Sequence, residues 1–102
     1  MKYEIPREAF KQRLENRLNF VFVDLGATSK FENVVPLNYG GQFKTDFASK
    51  YPNKTQNIVL FSLKKDDSAP AQAASELAEL GYQFVYYYIG SAEDTILDKG
   101  LN

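Results

Sequence analysis

The chain has 102 residues and a formal net charge of −1; 44% of its residues are hydrophobic, 15% aromatic and 25% charged. That is enough for one domain with a real core and too few for two, and the charge balance fits neither a disordered tail nor a nucleic-acid footprint. There is no cysteine and no histidine, which excludes a disulfide, a persulfide and a thiolate nucleophile, removes both favoured zinc ligands and leaves no Ser-His pair to assemble.

Residues 1–10 interleave Lys2, Glu4, Arg7 and Glu8 with apolar residues and do not read as a signal peptide. No apolar run approaches the roughly 18–20 residues of a membrane span, so the expected setting is cytoplasmic. Residues 3–5 are a candidate for a short edge strand. After Pro6, a good helix opener, Phe10, Leu14 and Leu18 recur at four-residue intervals. Residues 20–25 (FVFVDL) read as a buried strand, as do residues 58–63 (IVLFSL) and 84–89 (FVYYYI). Their poor alternation suits strands covered on both faces. Residues 34–37 are a shorter candidate, weakened by Pro36.

Phe43, Phe47 and Tyr51 mark a second helix, which Pro52 stops. Pro70, Ala73, Ala74, Leu77 and Leu80 draw one apolar stripe over residues 68–81, and its alanines imply close approach to a sheet. Gly81 fits the left-handed residue that ends a helix. Ser91 and Asp94 resemble a capping pair for a last helix carrying Ile96, Leu97 and Leu101. Strands alternating with helices imply βα units, a mostly parallel sheet and right-handed crossovers. In such a sheet the loops leaving the carboxyl ends of the strands gather along one edge, where ligands bind. Those loops are residues 26–30, 38–42, 64–68 and 90–91.

The order and spacing of these elements resemble the rhodanese-like family. A helix ending near Leu18 followed by FVFVDL resembles the family's helix and strand ending in Asp-Val-Arg, with Asp24 at the aspartate and Gly26 where the arginine would be. Phe31 resembles the aromatic of the next turn, and VVPLN the following short strand. The segment IVLFSLKKDDSAPAQAASELAELGYQFVYYYIGSAED resembles the family's strand, active-site loop, helix, Gly-Tyr turn, strand and Gly-containing turn, in that order. The family's loop reads Cys-x-x-Gly-x-Arg-Ser. Here it reads Ser62, Leu63, Lys64, Lys65, Asp66, Asp67, Ser68. Loop length and final serine agree; cysteine, glycine and arginine are replaced by Ser62, Lys65 and Asp67. The family's Gly-His-Ile-Pro-Gly-Ala segment is missing between Phe31 and Val34. The resemblance implies an α/β fold, a three-layer α/β/α rhodanese-like domain over residues 1–102, with a mostly parallel sheet of about five strands.

In working members of the family, the resemblance implies, the cysteine takes sulfur from a donor such as thiosulfate and holds it as a persulfide inside a cradle of backbone N–H groups. The loop leads into a helix N-terminus, whose partial positive charge lowers the thiol pKa and favours anions. Ser62 cannot carry a stable persulfide and has no histidine to activate it. Asp67 in place of the arginine repels anions by roughly 1–4 kcal/mol per unit charge at about 4 Å, which Lys64 and Lys65 offset only if they turn inward. Two readings of Ser62 stand open: a ligand-contacting remnant of the cradle, or a small polar residue packed at a strand end. Asp66 and Asp67 fit helix capping better than a metal such as magnesium. Asp24, at a strand end, is either catalytic or bonded to nearby backbone N–H groups. Tyr39 with Gly40 and Gly41 forms an aromatic loop on the ligand edge, a contact surface or a plain turn. Tyr86 and Tyr88 fall on one face of their strand and Tyr87 on the other.

The expected function is therefore a non-catalytic rhodanese-like module that binds a protein partner or a small anionic ligand at the former active-site loop. Ser62, Lys64, Lys65, Asp67, Ser68, Tyr39 and Asp24 line that site, with no cofactor, no metal, no nucleic acid and no membrane. The alternative from another class is an enzyme, either a rhodanese-type sulfurtransferase whose cysteine was replaced by Ser62 or a hydrolase using the cradle. A purely structural role as one lobe of an oligomer is the third.

Overall fold

The computed structural model describes residues 2–15, 20–25, 34–62 and 68–89. The expected last helix, Phe31, Leu18 and the loops at residues 26–30, 63–67 and 90–91 lie outside the described residues. In chain order the elements are β1 (Lys2–Glu4), α1 (Arg7–Glu15), β2 (Val21–Asp24), β3 (Val34–Pro36), α2 (Phe43–Lys50), β4 (Asn57–Phe61), α3 (Ala69–Glu79) and β5 (Phe84–Tyr87). The chain is thus mixed α/β. Its five strands form one sheet in the order β1-β5-β4-β2-β3, and every pairing is parallel.

All three continuous β-branched and aromatic runs are strands, each ending one or two residues earlier than its apolar run does. Their backbone pairing nevertheless continues: the Leu25 N–H donates to the Phe61 carbonyl at 2.9 Å and the Tyr88 N–H to the Leu60 carbonyl at 3.0 Å. Pro36 is accommodated because β3 lies at the sheet's edge. The Leu37 N–H points inward, to the Asp24 carbonyl at 3.0 Å. By alternation the nitrogen of Pro36 points outward, where no ladder donor is needed. The edge strand expected at residues 3–5 is β1, shifted one residue toward the N-terminus.

Alternation along the central strands builds a core on each face. On one face Phe22, Val59, Phe61 and Tyr88 pack with Ile5, Val34 and Phe10 of α1. On the other, Val23, Leu25, Ile58, Leu60 and Val85 pack with Phe43 and Phe47 of α2 and with Ala73, Ala74 and Leu77 of α3. This division follows from topology. The connection through α1 runs along the sheet from β1 past two strands to β2, whereas those through α2 and α3 run the opposite way. Right-handed crossovers of opposite direction put their helices on opposite faces.

The helix signals act as expected except at Leu80, which caps α3 instead of continuing its apolar stripe and is exposed. The Phe10 N–H donates to the Pro6 carbonyl at 3.0 Å, so α1 opens directly after the proline. On α2 the one-turn spacing of Phe43, Phe47 and Tyr51 becomes a row of ring contacts at 5.8 and 5.1 Å. On α3 Ala73 and Ala74 are fully buried, which brings the helix backbone close to the sheet. Gly81, at φ +101°, ends α3. Its N–H reaches the Ala78 carbonyl and that of Tyr82 the Leu77 carbonyl, at 3.1 and 3.2 Å, the paired bonds of a Schellman motif. Tyr86 and Tyr88 pack on the α1 face and Tyr87 on the other, as alternation requires. Among the described residues no helix is long and apolar enough to cross a membrane.

Candidate functional site

β2 and β4 are neighbours, yet their onward connections diverge. The chain leaves β2 toward β3 at one end of the sheet and leaves β4 through α3 toward β5 on the other side. This is the switch point of an open parallel sheet, the place at the carboxyl ends of the strands where sheets of this kind generally bind ligands.

The sequence-predicted residues fall here to the extent that they are described. Asp24 closes β2, opposite Phe61 of β4 in the register, and is fully buried. It continues the Phe22 row on the α1 face. Ser62 follows Phe61 directly and is 2% exposed. Asp24 and Ser62 are the buried polar residues among the described ones, and they stand at the ends of the two strands that flank the switch point.

A backbone ladder ties Tyr39 to this place. The Tyr39 N–H donates to the Leu25 carbonyl at 3.0 Å, and the Leu25 N–H donates to the Phe61 carbonyl beside Ser62. Tyr39 is half-buried, its ring 5.5 Å from that of Phe43 at an edge-on 65°. The Phe43 N–H closes the Gly40 turn by bonding the Gly40 carbonyl at 3.1 Å. The loop at residues 38–42 is thus anchored at both ends.

The Tyr39 hydroxyl donates to the Glu76 carboxylate of α3. Burial, then this bond, then the Glu76 charge push the Tyr39 phenol up from 10.0 to about 12. Each cause opposes a second negative charge there. Tyr39 is therefore a neutral donor at any physiological pH. Glu76 is the residue that reading the sequence overlooked. Its signal was an acid three residues after Ala73 and one before Leu77, inside the apolar stripe of α3.

Ser68 stands just before α3 and is exposed. Its hydroxyl accepts from the Gln72 side-chain amide at 3.0 Å and does not cap the helix. Leu63, Lys64, Lys65, Asp66 and Asp67 lie outside the described residues; of the rest, Asp24 lies on the α1 face, Tyr39 and Glu76 meet on the face that α2 and α3 cover, and Ser62 and Ser68 stand between β4 and α3. That set supplies hydroxyl donors and carboxylate acceptors. Among the described residues no three acidic side chains gather as metal ligands would.

Comparison of the chain with protein-family profiles, with curated proteins and with solved structures returned no match.

Proposed function

We propose that the chain is a non-catalytic rhodanese-like module, of three-layer α/β/α build, that binds a small anion or a protein segment at the carboxyl edge between β2 and β4. The observation that carries this reading is the placement of Ser62, buried and polar, at the end of β4 beside the switch point; the Asp24 carboxylate at the adjacent end of β2 opposes an anion and suits the N–H or cationic groups of a protein segment. The loop that the resemblance equates with an active-site cradle starts at Ser62 and ends at Ser68, at the head of α3. A helix N-terminus offers unpaired backbone N–H groups and a partial positive charge to an anion. The want of any cysteine or histidine in the sequence supports binding over sulfur transfer.

The test is an amide NMR titration with thiosulfate and, separately, with phosphate. Saturable shifts are expected at Leu25, Ser62 and Ser68, with the amides of β1 unmoved. A chain whose residues 64–67 are replaced by Gly and Ser should lose the response. An unresponsive edge, together with an identical set of captured proteins for both chains, refutes the proposal. Ser62→Cys addresses the enzyme alternative. It should show no sulfur transfer from thiosulfate to cyanide, because Asp67 and Gly26 still stand where the family has arginines. Transfer appearing with that one change would make the chain a sulfurtransferase lacking only its nucleophile.

A further inference from the structure

β1 forms one end of the sheet, and among the described residues no strand pairs with its outer side. Its three residues, Lys2, Tyr3 and Glu4, are all exposed. Such an edge is a template for another strand unless something blunts it. β3, at the opposite end, carries Pro36. β1 carries no proline, only one positive and one negative charge.

The direction of its free groups follows from one bond. The Ile5 N–H donates inward, to the Tyr87 carbonyl at 2.9 Å. Backbone groups alternate along a strand, so Tyr3 also faces β5, and the N–H and carbonyl groups of Lys2 and Glu4 face outward. Consider a second copy of β1 laid antiparallel about a two-fold axis at Tyr3. Lys2 of each copy then stands opposite Glu4 of the other. These are the two residues whose backbone groups point across the gap, and each such pair exchanges two hydrogen bonds. The same operation puts the Lys2 ammonium beside the opposing Glu4 carboxylate, twice.

The two faces accept the arrangement. Tyr3 lies on the α1 face, where its ring stacks on Tyr86 at 5.6 Å, and it stays 42% exposed. About the axis the two Tyr3 residues form a non-hydrogen-bonded pair, the closer kind, with Cα atoms about 4.5 Å apart. The row Tyr86–Tyr3 thus continues into its own copy. On the opposite face Lys2 donates to Ser75 of α3, so Ser75 flanks the edge. Ala71, one turn earlier, lies on the same side of the helix, and Ala78 lines an open cleft of about 310 Å³ with Tyr3 and Phe84. That flank is built of small side chains and leaves room for the symmetry-related helix.

We infer that this protein self-associates as a two-fold dimer through antiparallel pairing of β1, joining two five-stranded sheets into one, with Lys2–Glu4 pairs setting the register. An isologous contact needs a self-complementary patch, and Lys-Tyr-Glu read against itself is one. Three-residue strands make a small contact, so the dimer dissociates on dilution.

Sedimentation equilibrium of the full chain from about 5 to about 500 μM is the first measurement, in the range where micromolar affinities show. Lys2→Glu and Glu4→Lys, each alone, put like charges opposite each other and should weaken self-association about tenfold. Mixing the two variants restores opposite charges at both pairs, so a heterodimer should form with the parent affinity. Glu4→Pro removes an outward N–H that β5 does not use. It should leave the thermal midpoint nearly unchanged and abolish the dimer. A parent chain that stays monomeric across the range overturns the inference. So does a dimer that ignores the single charge reversals, or a mixture that forms no heterodimer.

Discussion

Replacing Phe10 by alanine tests whether α1 holds its face of the sheet through one side chain. Phe10 is fully buried. Its ring stacks on Tyr88 at 4.3 Å with the planes 7° apart, and meets Phe61 edge-on at 5.6 Å and Phe22 at 6.1 Å. Residues in or directly after three neighbouring strands, β5, β4 and β2, therefore converge on a single ring of the helix. Truncating a buried phenylalanine costs about 3–5 kcal/mol in lost transfer energy and residual cavity. A domain of this length is stable by about 5–15 kcal/mol in total, so the variant loses roughly a fifth or more of its stability. With a urea dependence near 1.5 kcal/mol/M, the unfolding midpoint should fall by about 2–3 M, read by far-ultraviolet circular dichroism. Phe10→Leu keeps much of the volume and should cost about 1.5 kcal/mol or less. A Phe10→Ala loss below about 1 kcal/mol would refute the reasoning, because it would mean that α1 contributes no continuous core.

Two further perturbations probe the candidate site and the turn after α3. Tyr39 has its phenol raised from 10.0 to about 12 in the folded chain. Neutral tyrosine is thereby favoured by folding, so the associated stability is intact below pH 10 and is lost as pH rises through about 12. Tyrosinate absorbance of the parent minus that of Tyr39→Phe should titrate near 12. Glu76→Gln should move that difference only part of the way back toward 10, since burial is the larger cause; no movement at all would remove Glu76 from the contact. Gly81→Ala meets no atom within 4 Å at its added Cβ, but φ is +101°. The cost is therefore backbone strain of about 1–2 kcal/mol, measurable by urea unfolding, and a neutral outcome would show that the turn readily takes another conformation.

How much of this was legible in the sequence depends on whether a feature is written in one segment or in several. The runs FVFVDL and IVLFSL announce buried strands because continuous β-branched and aromatic stretches fit a sheet covered on both faces, whereas FVYYYI forms a strand covered only in part, with Phe84 40% and Ile89 45% exposed. The Phe43, Phe47 and Tyr51 spacing and the Pro6, Pro52 and Gly81 boundaries are equally local signals. Strand order is not local. Nothing within FVYYYI says that its neighbours are β1 and β4; that follows only when the helices must cover both faces. The part played by Glu76 was hidden for the same reason. Its carboxylate meets a tyrosine 37 positions earlier in the chain (76 − 39), and an acid in an apolar stripe reads as an interruption until the loop at residues 38–42 is laid against it.

The same distinction explains why the edge between β2 and β4 is the place to look for binding. Asp24 and Ser62 are the buried polar residues among the described ones, and the rest of both cores is apolar apart from tyrosine. Their position is not set by the packing of any helix. It is set by where two adjacent parallel strands stop, and both stop where their connections part. Asp24→Val and Ser62→Val separate the finishing of a strand from binding. If the residues serve only to finish their strands, the substitutions cost about 1–3 kcal/mol through the partner each leaves behind and leave anion-induced amide shifts at Leu25 and Ser68 intact. If they belong to the binding edge, Ser62→Val loses the shifts while Asp24→Val, which removes a repelling charge, strengthens them, in variants that still unfold cooperatively.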